Sequence, residues 1–485
     1  MSHGTRIAID TPSVGNHTVS ICNILGTAVL ALSLCAICPT MANAEEARFA
    51  DLPGIWQMHG YGRVFDISAE RLVSYDITDV SCVQREETPL RQAQTQYERI
   101  TRSTDRFTAF EAGGITRYTF ERLAALPDRC RYASSQPLTD PELNFWVLWH
   151  AFRENYAFFD LRRVNWDDMY ARFRPKISAA TTQDSLFETF SQIVSALNDG
   201  HVVLQAGGRR FRSGLPGALY ESWVAENSIS DRQTAEDQFR KTVSTFVDDD
   251  VLRRKAQHGA NGILTWGWAA PGVGYVNVAA MYIGSGKEEV ATPLPTQIAL
   301  VDEAMTRVIA ELGRAKALIV DARFNTGGYD AVALRIIGYL THERRLAFTK
   351  KAVEGSGYTD TQEVYFEPQG KRQFTGPVYY LQSDYTVSAA EIFSLAMMAL
   401  PNVTRVGTPT YGVLSDALEK KLPNGWSIAL SNEVYVAVDG NLYEGRGIPP
   451  NIEVTAQTAG SFHERMRLDI DTALALIGKA SKKSR

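Results

Sequence analysis

The sequence predicts a multidomain protein in which an α/β domain with a partly parallel sheet is preceded by a helical bundle and a small N-terminal β module. Three observations carry this. From residue 262 onward, β-branched runs alternate with amphipathic stretches of helical length, as βα units require. Between 141 and 197 the apolar residues recur at helical spacing. Between 51 and about 134 they form short aromatic and β-branched runs broken by Gly and Ser-Ala-Glu turns. At 485 residues, with 45% hydrophobic and 22% charged side chains, the chain is long enough for two or three domains. A net charge of −5 without a large basic block argues against a primary nucleic-acid binder, whose affinity needs clustered Lys and Arg.

Residues 1–44 stand apart as a signal peptide. Residues 24–37 are uncharged throughout, Arg6 precedes them, Pro39 ends them, and Ala42-Asn-Ala44 before Glu45 fits small-x-small cleavage. The run is short for a bilayer span, so cleavage is expected, with an uncleaved anchor as the alternative. Cys35 and Cys38 follow Leu34 and Ile37 rather than a small residue, which argues against a lipid-modified cysteine. Cleavage removes three of five cysteines and leaves Cys82 and Cys130. An even pair in an exported chain reads as one disulfide in a periplasmic or secreted protein, two buried thiols being the alternative. No metal site is expected, since two cysteines lack a matching histidine pair, and no motif calls for a cofactor. After cleavage no stable membrane insertion is expected either.

The elements follow in order. The β module, 45–135, has strand-like runs over 54–67, 71–78 and 107–120, with His59 as an ordinary strand residue. The helical bundle, 139–204, is clearest over 183–197, where Leu186, Phe190, Ile193, Val194 and Leu197 share one face. That helix runs into Asn198-Asp-Gly-His201, a polar turn that sets His201 at the mouth of a strand. A connector with one or two helices, 205–262, leads to the α/β core, 263–456. Its strands are predicted at 273–278, 317–321 and 378–381, and its helices at 297–312, 330–340 and after Ser388. Residues 457–485 close the chain with an amphipathic helix and tail.

Three segments of the core carry candidate chemistry. Asp384-Tyr-Thr-Val-Ser388-Ala-Ala-Glu391 lies between a strand and an apolar helix. Ser388 can cap that helix, with Glu391 completing a capping box, or the same turn can expose its hydroxyl beside free N–H groups. Asp321-Ala-Arg-Phe-Asn-Thr-Gly-Gly328 ends a buried strand in two glycines. It can be a tight turn with an Asp321–Arg323 ion pair, or a place where backbone N–H groups meet a ligand. Glu444-Gly-Arg-Gly-Ile-Pro-Pro450 offers a carboxylate in a turn, either exposed or able to orient a histidine.

Taken together with Asn198-Asp-Gly-His201 and Gly407-Thr-Pro-Thr-Tyr-Gly412, these segments resemble, in order and spacing, the C-terminal processing peptidase and tricorn protease family over roughly residues 140–454. The resemblance implies a ClpP/crotonase-like core and serine peptidase chemistry on peptide or unfolded-protein substrates. It implies Ser388 as nucleophile, with the N–H groups of Ala389 and Gly328 as oxyanion donors. Processing peptidases place a lysine base after the glycine that is Gly412 here, but Val413 stands in that position, and Lys420 or Lys421 would need a register shift to replace it. The tricorn-like branch uses a histidine, which matches His201, and an acid, which matches Glu444. That branch has a serine just before its histidine, where this chain has Gly200. Many relatives carry a PDZ module between bundle and core, and the short interval here predicts none. A noncatalytic binder of peptides or apolar ligands on the same fold, or a small-molecule esterase or amidase, is the alternative.

Overall fold

The computed structural model describes residues 45–132, 137–214, 217–284, 292–454 and 460–483. The predicted signal peptide, with Cys22, Cys35 and Cys38, lies outside them.

A seven-stranded sheet organises the molecule. Its spatial order is Gln257–Gly259, Leu264–Ala270, Val273–Val278, Ala317–Asp321, Val378–Gln382, Val403–Gly407 and Ile452–Glu453. The first two pairings are antiparallel and the remaining four parallel. Val273–Val278, Ala317–Asp321 and Val378–Gln382 are buried along their whole length, as parallel strands covered on both faces must be. Successive side chains divide between two layers. Val276, Val278, Leu318, Val320 and Tyr380 pack under helices Leu294–Leu312, Asp330–Ile337 and Ala389–Met398. Tyr275, Ile319, Tyr379 and Leu381 pack on the opposite side against helices Ala218–Asn227, Arg232–Thr245 and Phe462–Lys483. The expected connector and the terminal helix thus serve as the second helical layer. Each fully buried Val, Leu or Ile in these layers contributes about 1.5–3 kcal/mol.

At the N-terminal side an eight-stranded sheet runs in the order Glu45–Glu46, Tyr97–Arg102, Arg106–Glu111, Arg117–Leu123, Gly54–Met58, Arg63–Ile67, Arg71–Ile77 and Cys82–Pro89. The sequence reading had no strand at Cys82–Pro89 or Tyr97–Arg102, nor the helix Leu90–Gln96 between them. Cys82–Pro89 is a sheet edge with a half-buried to exposed, charge-rich sequence, so it shows no apolar alternation. Cys82 and Cys130 form a disulfide that ties this edge to the end of the module.

Helices Pro141–Asn155, Trp166–Phe173 and Gln183–Ser195 form where the periodicity placed them, capped by Asp140, Asn165 and Thr182. They do not build a core of their own. Leu148, Phe152 and Phe190 join one cluster with Trp56, Phe107 and Phe120 of the N-terminal sheet and with Leu204, Ile428 and Leu430. The last three belong to a four-stranded sheet of order Arg209–Arg212, Val203–Ala206, Ser427–Ser431 and Ala417–Lys421. Its strand Val203–Ala206 begins just after His201, so the histidine turn is anchored to the late part of the core.

Candidate active site

Ser388 leaves the strand Val378–Gln382 through a turn that is bonded to the neighbouring strand end. Thr386 Oγ1 donates to the Ala322 carbonyl at 2.9 Å, and Val387 N–H donates to the Asn325 carbonyl at 3.0 Å. The turn forces Ser388 to φ 60°, ψ −128°, a conformation that non-glycine residues adopt at a cost of about 1–3 kcal/mol. Helix Ala389–Met398 starts immediately afterwards. A strained serine between strand and helix presents its hydroxyl outward, and Ser388 is half-buried.

Across from it lies the glycine turn. Gly327 has φ +96°, and a Cβ there would sit 2.7 Å from Ser388 Cβ. Gly328 has φ +143°, and a Cβ there would lie 2.3 Å from the Met281 backbone. Asn325 Oδ1 accepts the Gly327 N–H at 2.8 Å, while its amide donates to the Val278 carbonyl, which holds the turn in place. Among the described residues, neither the Gly328 nor the Ala389 N–H donates to a protein partner. Asp321 and Arg323 are structural. Arg323 is fully buried between Asp321 (2.6 Å) and Asp469 (2.8 Å), and Tyr275 donates to Asp321 at 2.7 Å.

His201 Nε2 lies 2.9 Å from Ser388 Oγ. The histidine owes its position to Asp199, whose Oδ1 accepts the His201 N–H at 2.9 Å and whose Oδ2 accepts the Tyr156 hydroxyl at 2.9 Å. Burial lowers the imidazole pKa below its usual 6.5, against the opposing charges of Asp199 and Asp416 and the Ser415 backbone. Although the Ser415 backbone lies close enough to favour the protonated ring, Nδ1 has no partner with hydrogen-bond geometry. His201 is therefore neutral at pH 7 and able to accept a proton from the hydroxyl.

Glu444, expected to orient His201, makes no hydrogen bond to it. Its Oε2 accepts the Leu414 and Ser415 N–H groups at 2.8 and 3.0 Å, and its Oε1 pairs with Arg162 at 3.2 Å. Arg162 also donates to the Asn198 carbonyl at 3.0 Å. Glu444 thus reaches the histidine turn only through Arg162 and the segment 414–415. Burial, with the Asp199 charge next, pushes its carboxyl up to about 8.

The position of the alternative base is occupied differently. Val413 is buried and donates its N–H to Glu391 Oε2 at 2.8 Å. Gly200 faces it, and a Cβ at Gly200 would lie 3.3 Å from Tyr411 and 3.4 Å from Val413, so a serine there would be crowded. Lys420 Nζ is buried elsewhere, donating to the Tyr61 and Gly62 carbonyls, and Lys421 Nζ donates to the Arg85 carbonyl. Glu391 does more than cap its helix. It accepts from Ser388 N–H (3.2 Å), Thr410 Oγ1 (2.6 Å), Gly412 N–H (2.7 Å) and Val413 N–H (2.8 Å), and burial pushes it up to about 7. The sequence reading missed Asp199, for which the turn-forming Asn-Asp-Gly was the available signal, and Asp416, for which there was none.

No group of three or more His, Cys, Asp or Glu is arranged to hold a metal among the described residues. No helix among them is long and apolar enough to cross a membrane.

Comparison with known proteins gives a consistent picture. Residues 272–454 match Peptidase family S41, and residues 137–195 match the Tricorn protease C1 domain. The chain is similar to the carboxy-terminal processing protease CtpA of Bacillus subtilis, 27% identical over 139 residues, covering 29% of this chain and 28% of that protein. It is similar to the tricorn protease of Thermoplasma volcanium, 23% identical over 359 residues, covering 70% of this chain and 32% of that protein. Each match thus spans less than a third of the curated relative's length. The crystal structure of a candidate peptidase from Parabacteroides merdae superposes with a TM-score of 0.56 at 25% identity, covering 70% of this chain and 97% of that one.

Proposed function

We propose that this chain, similar to carboxy-terminal processing and tricorn proteases, is an exported serine peptidase that hydrolyses peptide bonds through Ser388 and His201. The observation that carries this reading is the 2.9 Å approach of His201 Nε2 to the hydroxyl of a strained serine at a helix start. His201 takes the Ser388 proton as the oxygen attacks the substrate carbonyl. The N–H groups of Gly328 and Ala389, which have no protein acceptor among the described residues, stabilise the oxyanion. Collapse of the tetrahedral intermediate breaks the C–N bond, and His201 returns the proton to the leaving amine. Water, deprotonated by the same imidazole, then releases the acyl group from Ser388. Glu444 acts as a positioning residue that fixes the 414–415 segment and Arg162, rather than as a hydrogen-bond partner of the imidazole.

The disulfide supports export to an oxidising compartment. Among the described residues the interval between bundle and core is a hairpin and helices covering the central sheet, which gives no support to PDZ-mediated choice of a free C-terminus. A fluorophosphonate should label wild-type protein at Ser388, with labelling lost in Ser388→Ala and His201→Ala. Absence of both labelling and cleavage of unfolded protein would reject the peptidase reading in favour of a binding protein. N-terminal sequencing of the mature chain from the producing cell should begin at Glu45.

A further inference from the structure

A cavity of about 80 Å³ opens beside Gly328, the residue assigned above as an oxyanion donor. Its walls come from two separate parts of the chain. Glu111, Thr116 and Tyr118 belong to the N-terminal β module, whereas Gly328, Asp330 and Asp416 belong to the catalytic core. Gly328 is exposed on the cavity wall, and the preceding Gly327 packs on Ser388, so the cavity adjoins the turn that faces the serine. Asp416 links them further, since its charge acts on the His201 ring. No Lys, Arg or His lines the cavity. The cations behind its walls are already matched. Lys350 Nζ donates to Thr116 Oγ1 but lies 2.7 Å from Glu433, and Arg63 and Arg85 both pair with Asp76, at 3.3 and 3.5 Å. Three carboxylates therefore face the space without a protein counter-ion on its lining.

We propose that this cavity receives the cationic side chain, Lys or Arg, of a substrate residue flanking the scissile bond, so that the N-terminal β module forms a specificity wall of the peptidase. The inference rests on the peptidase reading above. The site is defined by the cavity and its contact with Gly328, and the carboxylates determine what it accepts. Size agrees. At roughly 10–15 Å³ per water-sized group, the space takes about five to eight heavy atoms, which spans the side chains of lysine and arginine. The carboxylates also repel one another across it. Burial, with the Asp416 charge next, pushes Asp330 up to about 7, and a bound cation relieves that repulsion.

The test uses pairs of quenched fluorescent peptides that differ only in Lys against norleucine, or Arg against citrulline, on either side of the cleaved bond. Wild-type enzyme should favour the cationic member at least ten-fold in kcat/KM. Glu111→Gln and Asp330→Asn should each bring that ratio down toward one, and Glu111→Lys should invert it. Glu111 is an exposed residue at a strand end, so its variants probe charge without a folding demand. Labelling of Ser388 by a fluorophosphonate is measured in parallel on every variant. Labelling and cleavage with no cationic preference, or with a preference that survives both neutralising substitutions, would overturn the pocket while leaving the peptidase standing. A wild type that neither labels nor cleaves would overturn both.

Discussion

Two buried glutamates flank the Ser388–His201 pair, and they hold the same segment in different ways. Glu391 grips it from the nucleophile side, accepting from Ser388, Thr410, Gly412 and Val413. Glu444 grips it from the histidine side, accepting from Leu414 and Ser415 and reaching Asn198 through Arg162. Glu391 works by hydrogen bonds alone, with no cation paired to it among the described residues. Glu444 feels the charges of Asp199 and Glu391, and Arg162 offsets part of that repulsion. The segment 410–415 is thereby a frame fixed from both sides, between Ser388 and the turn that carries His201. A carboxylate near a catalytic pair need not touch it to control its geometry.

If that contrast is right, the reacting pair and the frame should separate cleanly in size of effect. Ser388→Ala and His201→Ala should each lower kcat by about 10⁴–10⁶, since nucleophile and base act as a unit. Peptide hydrolysis at saturating substrate, with Ser388 labelling as a count of intact sites, measures this. As the proposed base, His201 would act as neutral imidazole, and burial holds its pKa below 6.5. Activity should therefore rise with pH through that depressed value and be level at neutrality, so the acid limb of kcat/KM must lie below pH 6.5. A limb above 6.5 would mean that Asp199 and Asp416 outweigh burial.

Glu391→Gln should have the next largest effect. The amide keeps the shape but replaces an acceptor oxygen with a donor facing backbone N–H groups, at about 1–3 kcal/mol. A ten- to hundred-fold fall in kcat with little change in KM is expected, because the carboxylate also holds the Ser388 N–H. Glu444→Gln should cost about ten-fold, since one oxygen still serves Leu414 and Ser415 while Arg162 loses an acceptor. Equal effects of the two substitutions would erase the distinction between them.

Local pattern placed Ser388 at a strand-turn-helix and His201 at a helix-turn-strand, as the structure has them, but only the order of the segments and the resemblance it carries paired the two. The two helical layers over the central sheet were legible in part for the same reason, through their 3.6-residue period. What the frame does was not legible. Glu391 looked like half of a capping box, and its three partners at 410–413 become visible only once a loop distant in sequence folds over it. Glu444 was assigned to the imidazole, but the backbone N–H groups of Leu414 and Ser415 claim one of its oxygens. The edge strand Cys82–Pro89 had no periodic signal, and the pairing of Val203–Ala206 with Ser427–Ser431 spans most of the core in sequence.

Lys420 gives the smallest effect on catalysis and the sharpest check on the frame. Its ammonium is buried between the β module and the core, donating to the Tyr61 and Gly62 carbonyls with Asp76 at 3.8 Å. Lys420→Met should leave kcat within about two-fold, whereas a lysine acting as the base of Ser388 would be lost with all activity. Stability should fall instead, by about 1–3 kcal/mol, because two buried carbonyls lose their donor. Burial holds the Lys420 pKa down to about 8, below the roughly 10.4 of an unfolded lysine. Between those values the unfolded chain binds more protons, so this group makes the native state more stable as pH rises. Thermal melts from pH 7 to 10 should then show the gap between wild type and Lys420→Met changing in favour of the wild type. A gap that instead closes toward pH 10 would mean that Lys420 is stabilised as a cation by Asp76, and that the β module is held to the core by an ion pair rather than by hydrogen bonds to its backbone.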